Sequence, residues 1–245
     1  MIKIVIPTSD KTMWALRPFA YLLGRYWPEH PPVIVGGYTA PTFRLPDDFE
    51  FRSIGRFADY PAARWSDGVI ALLNGLSDDY LIVMMDDYWL NRRVDHSAIV
   101  ALGLYIQSVD NVARLDLTAD RLRASGSTPF GAVDHLDIIQ SDPASQYHFS
   151  MQAALWRRDL LLNCLAPHKT PWECEIAASG RLAALGYTVL GTRQAPLRYT
   201  IAVQQGKLAL DGGYQTSAYA VPQDDAAYIV AQDWIPRELM PEWVY

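Results

Sequence analysis

Two adjacent carboxylates stand where chemistry is most readily placed. Asp86 and Asp87 follow directly on Tyr80-Leu-Ile-Val-Met-Met85, six residues without a charge. Acidic residues closing a buried run are costly unless solvent, hydrogen bonds or a cation neutralise them. A hard divalent ion, Mg²⁺ or Mn²⁺, suits such a pair, because it takes one or two carboxylates and completes its shell with water and phosphate oxygens. Capping of a loop or helix is the other use of the same two residues, and the pair alone leaves both open. A second acidic pair lies in Thr170-Pro-Trp-Glu-Cys-Glu-Ile176. There Thr170 is a helix N-cap, Pro171 the first helical residue, and Glu173 the partner that completes a capping box. The cap accounts for Glu173 and leaves Glu175 without a local role.

The elements that must position these residues follow from periodicity. Ile2 to Pro7 is a β-branched run stopped by proline, followed by a polar loop of Thr8, Ser9 and Asp10. An apolar-periodic helix from Trp14 to Trp27 comes next, with Pro18 in its first turn or bending it. Pro31–Gly37 reads as a second strand and Phe49–Ile54 as an edge-like third. A helix is expected from about Pro61 to Leu76, with Ala63, Val69, Ile70 and Leu73 facing inward. Tyr80–Met85 then reads as a strand buried on both faces, as in the middle of a parallel sheet. Asp95 caps a helix reaching about Val109.

This β-α-β-β-α-β-α order belongs to a nucleotide-binding α/β half, in which ligands lie beyond the carboxyl ends of the strands. The acidic pair falls at such an end. Later strands are expected at Val112–Leu117, Val133–Ile139, Phe149–Leu155 and Tyr187–Leu190, with a turn-rich Ser125–Thr128 stretch. Helices are expected at Arg157–Leu165 and Thr170–Leu185. The fold class is therefore α/β: one domain with a mostly parallel central sheet flanked by helices and an irregular C-terminal segment. Residues 1–110 form the nucleotide-binding half, 111–200 the second half, and 201–245 a closing flap or wrapping tail.

Composition narrows the partners. A chain of 245 residues that is 50% hydrophobic and 20% charged is an ordinary globular enzyme-sized domain. A net charge of −6 argues against nucleic acid as a partner. The basic pairs Arg92–Arg93 and Arg157–Arg158 are short and isolated. Cys164 and Cys174 lack disulfide or zinc spacing and read as free thiols. No run of about 18 apolar residues is present, so no membrane span is expected, and the opening MIKIVIPTSD lacks the features of a signal peptide. A cytoplasmic location is the expectation. Eight Trp and fourteen Tyr include candidates for sugar- or base-stacking faces, although filling core volume is the commoner use. No Walker-type loop and no Gly-x-Gly-x-x-Gly fingerprint occurs.

The stretch WSDGVIALLNGLSDDYLIVMMDDYWL, residues 65–90, resembles the metal-site segment of GT-A-type glycosyltransferases, in which a helix leads into a buried strand ending in an acidic motif. The usual Asp-x-Asp is here Asp86-Asp87-Tyr88, without the intervening residue. The resemblance implies a metal-dependent transfer of sugar from a nucleotide-diphosphate donor, a UDP-sugar favoured, to an unknown acceptor, with Mn²⁺ or Mg²⁺ as cofactor. It places the metal on Asp87, with Asp86 on the metal, the ribose or the loop. It places the nucleoside on Thr8, Ser9 and Asp10, and the base and diphosphate near Asp59, Arg64 and Asp67. The helix continuing through Arg181 to Gly186-Tyr187 puts Glu175 where the family's acceptor-activating carboxylate stands, with Glu173 the alternative one shift away. Trp172 becomes a candidate stacking face, and His148 a candidate for substrate or metal. Two other readings remain: a non-catalytic nucleotide-sugar-binding protein on the same scaffold, and a nucleotidyltransferase. The second wants a Gly-rich phosphate loop that Pro7-Thr-Ser-Asp-Lys11 lacks.

Overall fold

The computed structural model describes residues 2–123 and 126–240. The first half comprises β1 (Lys3–Pro7), α1 (Leu16–Tyr26), β2 (Val33–Gly37), β3 (Phe49–Ser53), α2 (Trp65–Asn74), β4 (Tyr80–Val83), β5 (Tyr88–Leu90) and α3 (His96–Ser108). Then come β6 (Val112–Asp116), α4 (Asp120–Arg123), β7 (Ser127–Val133), β8 (Leu136–Ser141), β9 (Ala154–Arg157), α5 (Arg158–Cys164), α6 (Pro171–Ala184) and β10 (Thr188–Thr192). The last stretch holds β11 (Tyr199–Ile201), β12 (Val203–Gln204), β13 (Lys207–Leu208) and α7 (Gln223–Ala231).

Nine strands form one sheet in the order β3-β2-β1-β4-β9-β6-β10-β8-β7. Seven run in one direction, with β8 and β9 opposed. The sheet is thus mostly parallel, flanked by helices on both faces. Alternation along the strands explains the two layers. Ile4, Ile6, Val35 and Ile82 pack with α1 and α3 on one face. Val5, Ile34, Leu81 and Val83 pack with α2, α5 and α6 on the other. Gly36 allows the closest of these approaches, since a Cβ there would stand 2.3 Å from Leu72 Cδ2 of α2. The order reverses between β1 and β4, because α1 carries the chain outward to β2 and α2 carries it back to β4. That switch point is where a crevice opens in sheets of this kind.

The first half follows the expected element order with one addition, the short strand β5 between β4 and α3. Asp95 caps α3 by accepting from Ala98 N at 3.0 Å, and Thr170 and Glu173 form the capping box of α6. Two strands differ from expectation. The run Val133–Ile139 is not one strand but the inner part of the β7–β8 hairpin, which turns at Asp134 with φ 52°. Asp tolerates this left-handed conformation better than most residues, so an apolar run was interrupted by a residue that reads as merely polar. The Ser125–Thr128 stretch is strand from Ser127 onward, and Ser125 lies outside the described residues.

The expected strand Phe149–Leu155 begins only at Ala154. The reason is hydrogen bonding: Phe149 N donates to Ser179 Oγ (2.9 Å) and Met151 N to Glu175 Oε1 (2.7 Å), so these donors serve α6 rather than the sheet.

Beyond Arg198 the chain turns back beneath the acidic pair. β11 pairs antiparallel with β5, Ala202 N donates to Asp87 O at 2.8 Å, and Tyr199 stacks on Tyr88 with centroids 4.2 Å apart. The end of the segment is tied to α1 through Asp225, which is 1% exposed. Asp225 accepts from the hydroxyls of Tyr21 and Tyr26 and pairs with Arg25. Replacing it with Ala leaves two tyrosine hydroxyls and a guanidinium without their acceptor. The expected outcome is a loss of about 2 kcal/mol of stability, read as a lower Tm, with faster proteolytic cleavage after Gln205.

Candidate active site

A cleft of about 750 Å³ opens at the carboxyl ends of β1, β2 and β4, bordered by the start of β9 and by the returning segment 201–214. Asp86 and Asp87 both line it. They face open space because β4 stops at Val83 and the chain turns before β5. Asp86 is 6% exposed, and its Oδ2 accepts from Thr8 Oγ1 at 2.5 Å. Asp87 is half-buried, and its backbone, not its carboxylate, is what holds Ala202. Burial pushes the Asp87 carboxyl up to about 8, with the charge of Asp86 adding to the effect. Burial also raises Asp86 to about 6, against the opposing hydroxyls of Thr12 and Thr8. Two carboxylates this close and this dry do not both ionise without a positive charge nearby.

None is supplied by the lining. Among the described residues, the side chains around the cleft include three carboxylates (Asp86, Asp87 and Glu175) and no Lys, Arg or His. Among the described residues no three His, Cys, Asp or Glu side chains group as a self-contained metal cage. The donor set instead fits an ion that takes one or two carboxylates from protein and the rest from water and phosphate. Asp87 is the freer of the two ligands, since Asp86 is engaged by the hydroxyls of Thr8 and Thr12 and Asp87 by backbone N–H groups alone, that of Val203 among them.

Glu175 faces the same cleft from the first turns of α6. Its Oε1 is fixed by Met151 N, while Oε2 has no hydrogen-bond partner among the described residues. Burial raises its pKa, outweighing the Met151 N–H and the charge of Arg114. The segment that carries Met151 rests on a buried ion triad. Arg114 and Arg121 pair with the two oxygens of Asp116 at 2.6 and 2.9 Å, all three 0% exposed. Arg121 Nη1 donates to the Tyr147 carbonyl and Arg114 Nη2 also reaches the Gln152 carbonyl, while Arg114 Nε and Nη1 are buried without a hydrogen-bond partner among the described residues.

Of the residues singled out in the sequence, Thr8, Ser9, Asp86, Asp87 and Glu175 meet in the cleft. Trp172 lines it too, 73% exposed. The others sit elsewhere. Asp10 holds Thr39 through its backbone N–H and hydroxyl. Asp59 is paired with Arg56, and Arg64 with Asp67, which also accepts from His168 N. Glu173, the alternative to Glu175, points back to Thr170 within the capping box expected of it and is not among the residues lining the cleft. His148 is buried against Ser141 Oγ (3.0 Å), and burial pushes its pKa down to about 4.

Sequence reasoning missed Gln152, Tyr38, Trp65 and Tyr214, all of which line the cleft. Tyr214 had one signal: Gly212 and Gly213 before it both have positive φ, at 94° and 52°. A Cβ on Gly213 would collide with Gln204 Oε1 at 2.1 Å, and Gln204 is what ties this loop together.

No protein-family profile matches the sequence. No curated protein matches it either. Among solved structures the chain is similar to S. aureus TarS 1-349 in complex with UDP, with TM-score 0.47 and 13% identity over 78% of this chain and 57% of that one. It is also similar to UTP-bound UGPase from Acinetobacter baumannii, with TM-score 0.46 and 11% identity over 78% and 86%. A third is the galactosyltransferase LgtC in complex with donor and acceptor sugar analogues, with TM-score 0.39 and 13% identity over 64% and 58%. The chain spans about half the length of the TarS chain and of the bifunctional IspDF chain from Campylobacter jejuni, at 57% and 52%. Likenesses this distant carry no argument about activity, and the chemistry must be read from the cleft itself. No described helix is long and apolar enough to cross a membrane.

Proposed function

We propose that this chain is a metal-dependent glycosyltransferase that moves a sugar from a nucleotide-diphosphate donor to an acceptor hydroxyl. The observation that carries the reading is the charge pattern of the cleft: three carboxylates converge at the carboxyl edge of the sheet, and no cationic side chain among the described residues lines it. A diphosphate enters such a cleft only with a cation that it shares with the protein. The sequence resemblance favours a UDP-sugar as donor and Mn²⁺ or Mg²⁺ as the cation.

Asp87 would hold the ion, with Asp86 as second ligand or as the group that aligns the Thr8 loop. When bound, the cation offsets the charge that builds on the departing diphosphate. The Thr8–Ser9 loop and the aromatic faces of Tyr38 and Trp65 flank the space left for the nucleoside. Glu175 receives the acceptor hydroxyl's proton on its free Oε2. As it does so, the acceptor oxygen bonds to the anomeric carbon and the bond from that carbon to the diphosphate breaks. A raised pKa suits this task, since it makes the carboxylate a stronger base.

The second reading, a non-catalytic nucleotide-sugar-binding protein, is favoured by one observation: Glu175 Oε1 already has a structural duty at Met151 N. The two readings separate in a panel of UDP-, GDP- and dTDP-sugars with Mn²⁺. Nucleotide release from a UDP-sugar, absent in chelator, is the expected result. Heat protection by UDP with no release from any donor favours the binding protein, and protection by no nucleotide contradicts both.

A further inference from the structure

A second, smaller cavity opens beside the cleft, beyond the carboxyl ends of β6 and β10. It measures about 210 Å³ and shares Gln152, Ile201 and Tyr214 with the cleft, so Tyr214 stands between the two spaces. That volume lies below the roughly 300–1,000 Å³ of pockets for drug-sized ligands and has room for one ring. Its lining differs from the cleft in one respect: it contains a cation, Arg198.

Arg198 uses Nε to donate to Asn91 Oδ1 at 2.9 Å and makes no ion pair among the described residues. Arg92 is its near neighbour, also without an ion pair there, with one donor held by the Ala195 carbonyl. Burial lowers the pKa of Arg92, and the charge of Arg198 lowers it further. Arg198 lines the cavity with no ion pair among the described residues, so its free guanidinium edge favours an anion, and Asp120 is the one carboxylate in the same lining. The remaining polar groups suit hydroxyls. Gln215 Oε1 is buried with no partner. The Tyr199 hydroxyl donates to Gln152 Oε1, and the Gln152 amide N–H groups have no partner among the described residues. Asp120 adds a carboxylate acceptor, whose one side-chain hydrogen bond among the described residues comes from Ser150 Oγ at 3.4 Å.

We propose that this cavity is the acceptor subsite, and that it takes a single hydroxylated ring carrying a negatively charged substituent that Arg198 pairs. The proposal rests on the transferase reading for the word acceptor, though not for the anion. The charges of the two spaces are then complementary: the acidic cleft takes the cation–diphosphate, and Arg198 orients the incoming ring. Gln152, common to both walls, lies where the acceptor hydroxyl would pass toward Glu175.

The test measures binding of glucose, glucuronate and glucose 6-phosphate to the whole chain by saturation-transfer NMR, with UDP and Mn²⁺ saturating so that the cleft is filled. Comparing the two anions tells a carboxylate from a phosphate source. At least one anionic sugar is expected to bind roughly tenfold tighter than glucose. Arg198→Gln should erase that preference and Arg198→Lys keep most of it, while heat protection by UDP with Mn²⁺ persists in both. Equal binding of all three sugars, or an anion preference that survives Arg198→Gln, overturns the proposal. Failure of UDP and Mn²⁺ to protect the wild type, with the anion preference intact, removes the transferase reading and leaves the anion site standing.

Discussion

Asp87→Ala is expected to lower the affinity for UDP in Mn²⁺ by on the order of 100-fold, with no loss of thermal stability in the free protein. The two halves of that expectation have one cause. Burial of the Asp87 carboxyl, with the charge of Asp86 beside it, works against the fold while no cation is shared between them. Removing the carboxylate relieves that cost and takes away the freer metal ligand together. Asp86→Ala differs, because it also leaves the Thr8 hydroxyl, bonded to Asp86 at 2.5 Å, without its acceptor. A stability loss that goes with the binding loss at Asp86, but not at Asp87, distinguishes their duties. Calorimetric titration of UDP with parallel melting curves measures both.

Glu175→Gln is expected to reduce kcat by roughly 10²–10⁴-fold, the usual range for losing a general base, with UDP affinity unchanged. The amide keeps an oxygen for the bond from Met151 N, so the segment 149–152 stays in place. What it loses is the ability to take a proton. A fall in UDP affinity matching the fall in turnover would make Glu175 a binding residue. Unchanged turnover would assign it to the Met151 contact alone. Glu173→Gln is the control, since that side chain caps α6 outside the cleft.

The nucleotide-binding half was legible in the sequence because its signals are local. A charge-free run buried on both sides specifies an interior strand, and β4 is that strand, lying between β1 and β9. Its abrupt change to Asp86-Asp87 also located the cleft. The second half was less legible because its backbone bonds are made at a distance. Phe149–Met151 has strand-like residues but gives its N–H groups to α6 side chains 24 and 30 residues away. The β7–β8 hairpin depends on one left-handed Asp134, which polarity alone does not announce.

Charged residues near the site were the least legible. Asp59 with Arg56 and Arg64 with Asp67 are separated by three residues, a spacing that lets each pair close on itself. Proximity in sequence to the α2 start therefore did not become proximity to the cleft. Tyr214 and Arg198 reach their cavities through a chain reversal that periodicity does not encode.

All of this depends on a cation linking the acidic pair to a diphosphate. Isothermal titration of UDP into the wild-type chain, once in Mn²⁺ and once in EDTA, tests that link directly. Measurable binding with the metal, and affinity at least about 100-fold weaker in chelator, is the expected result. Equal affinity in the two buffers would contradict it, because a diphosphate cannot settle unaided among Asp86, Asp87 and Glu175.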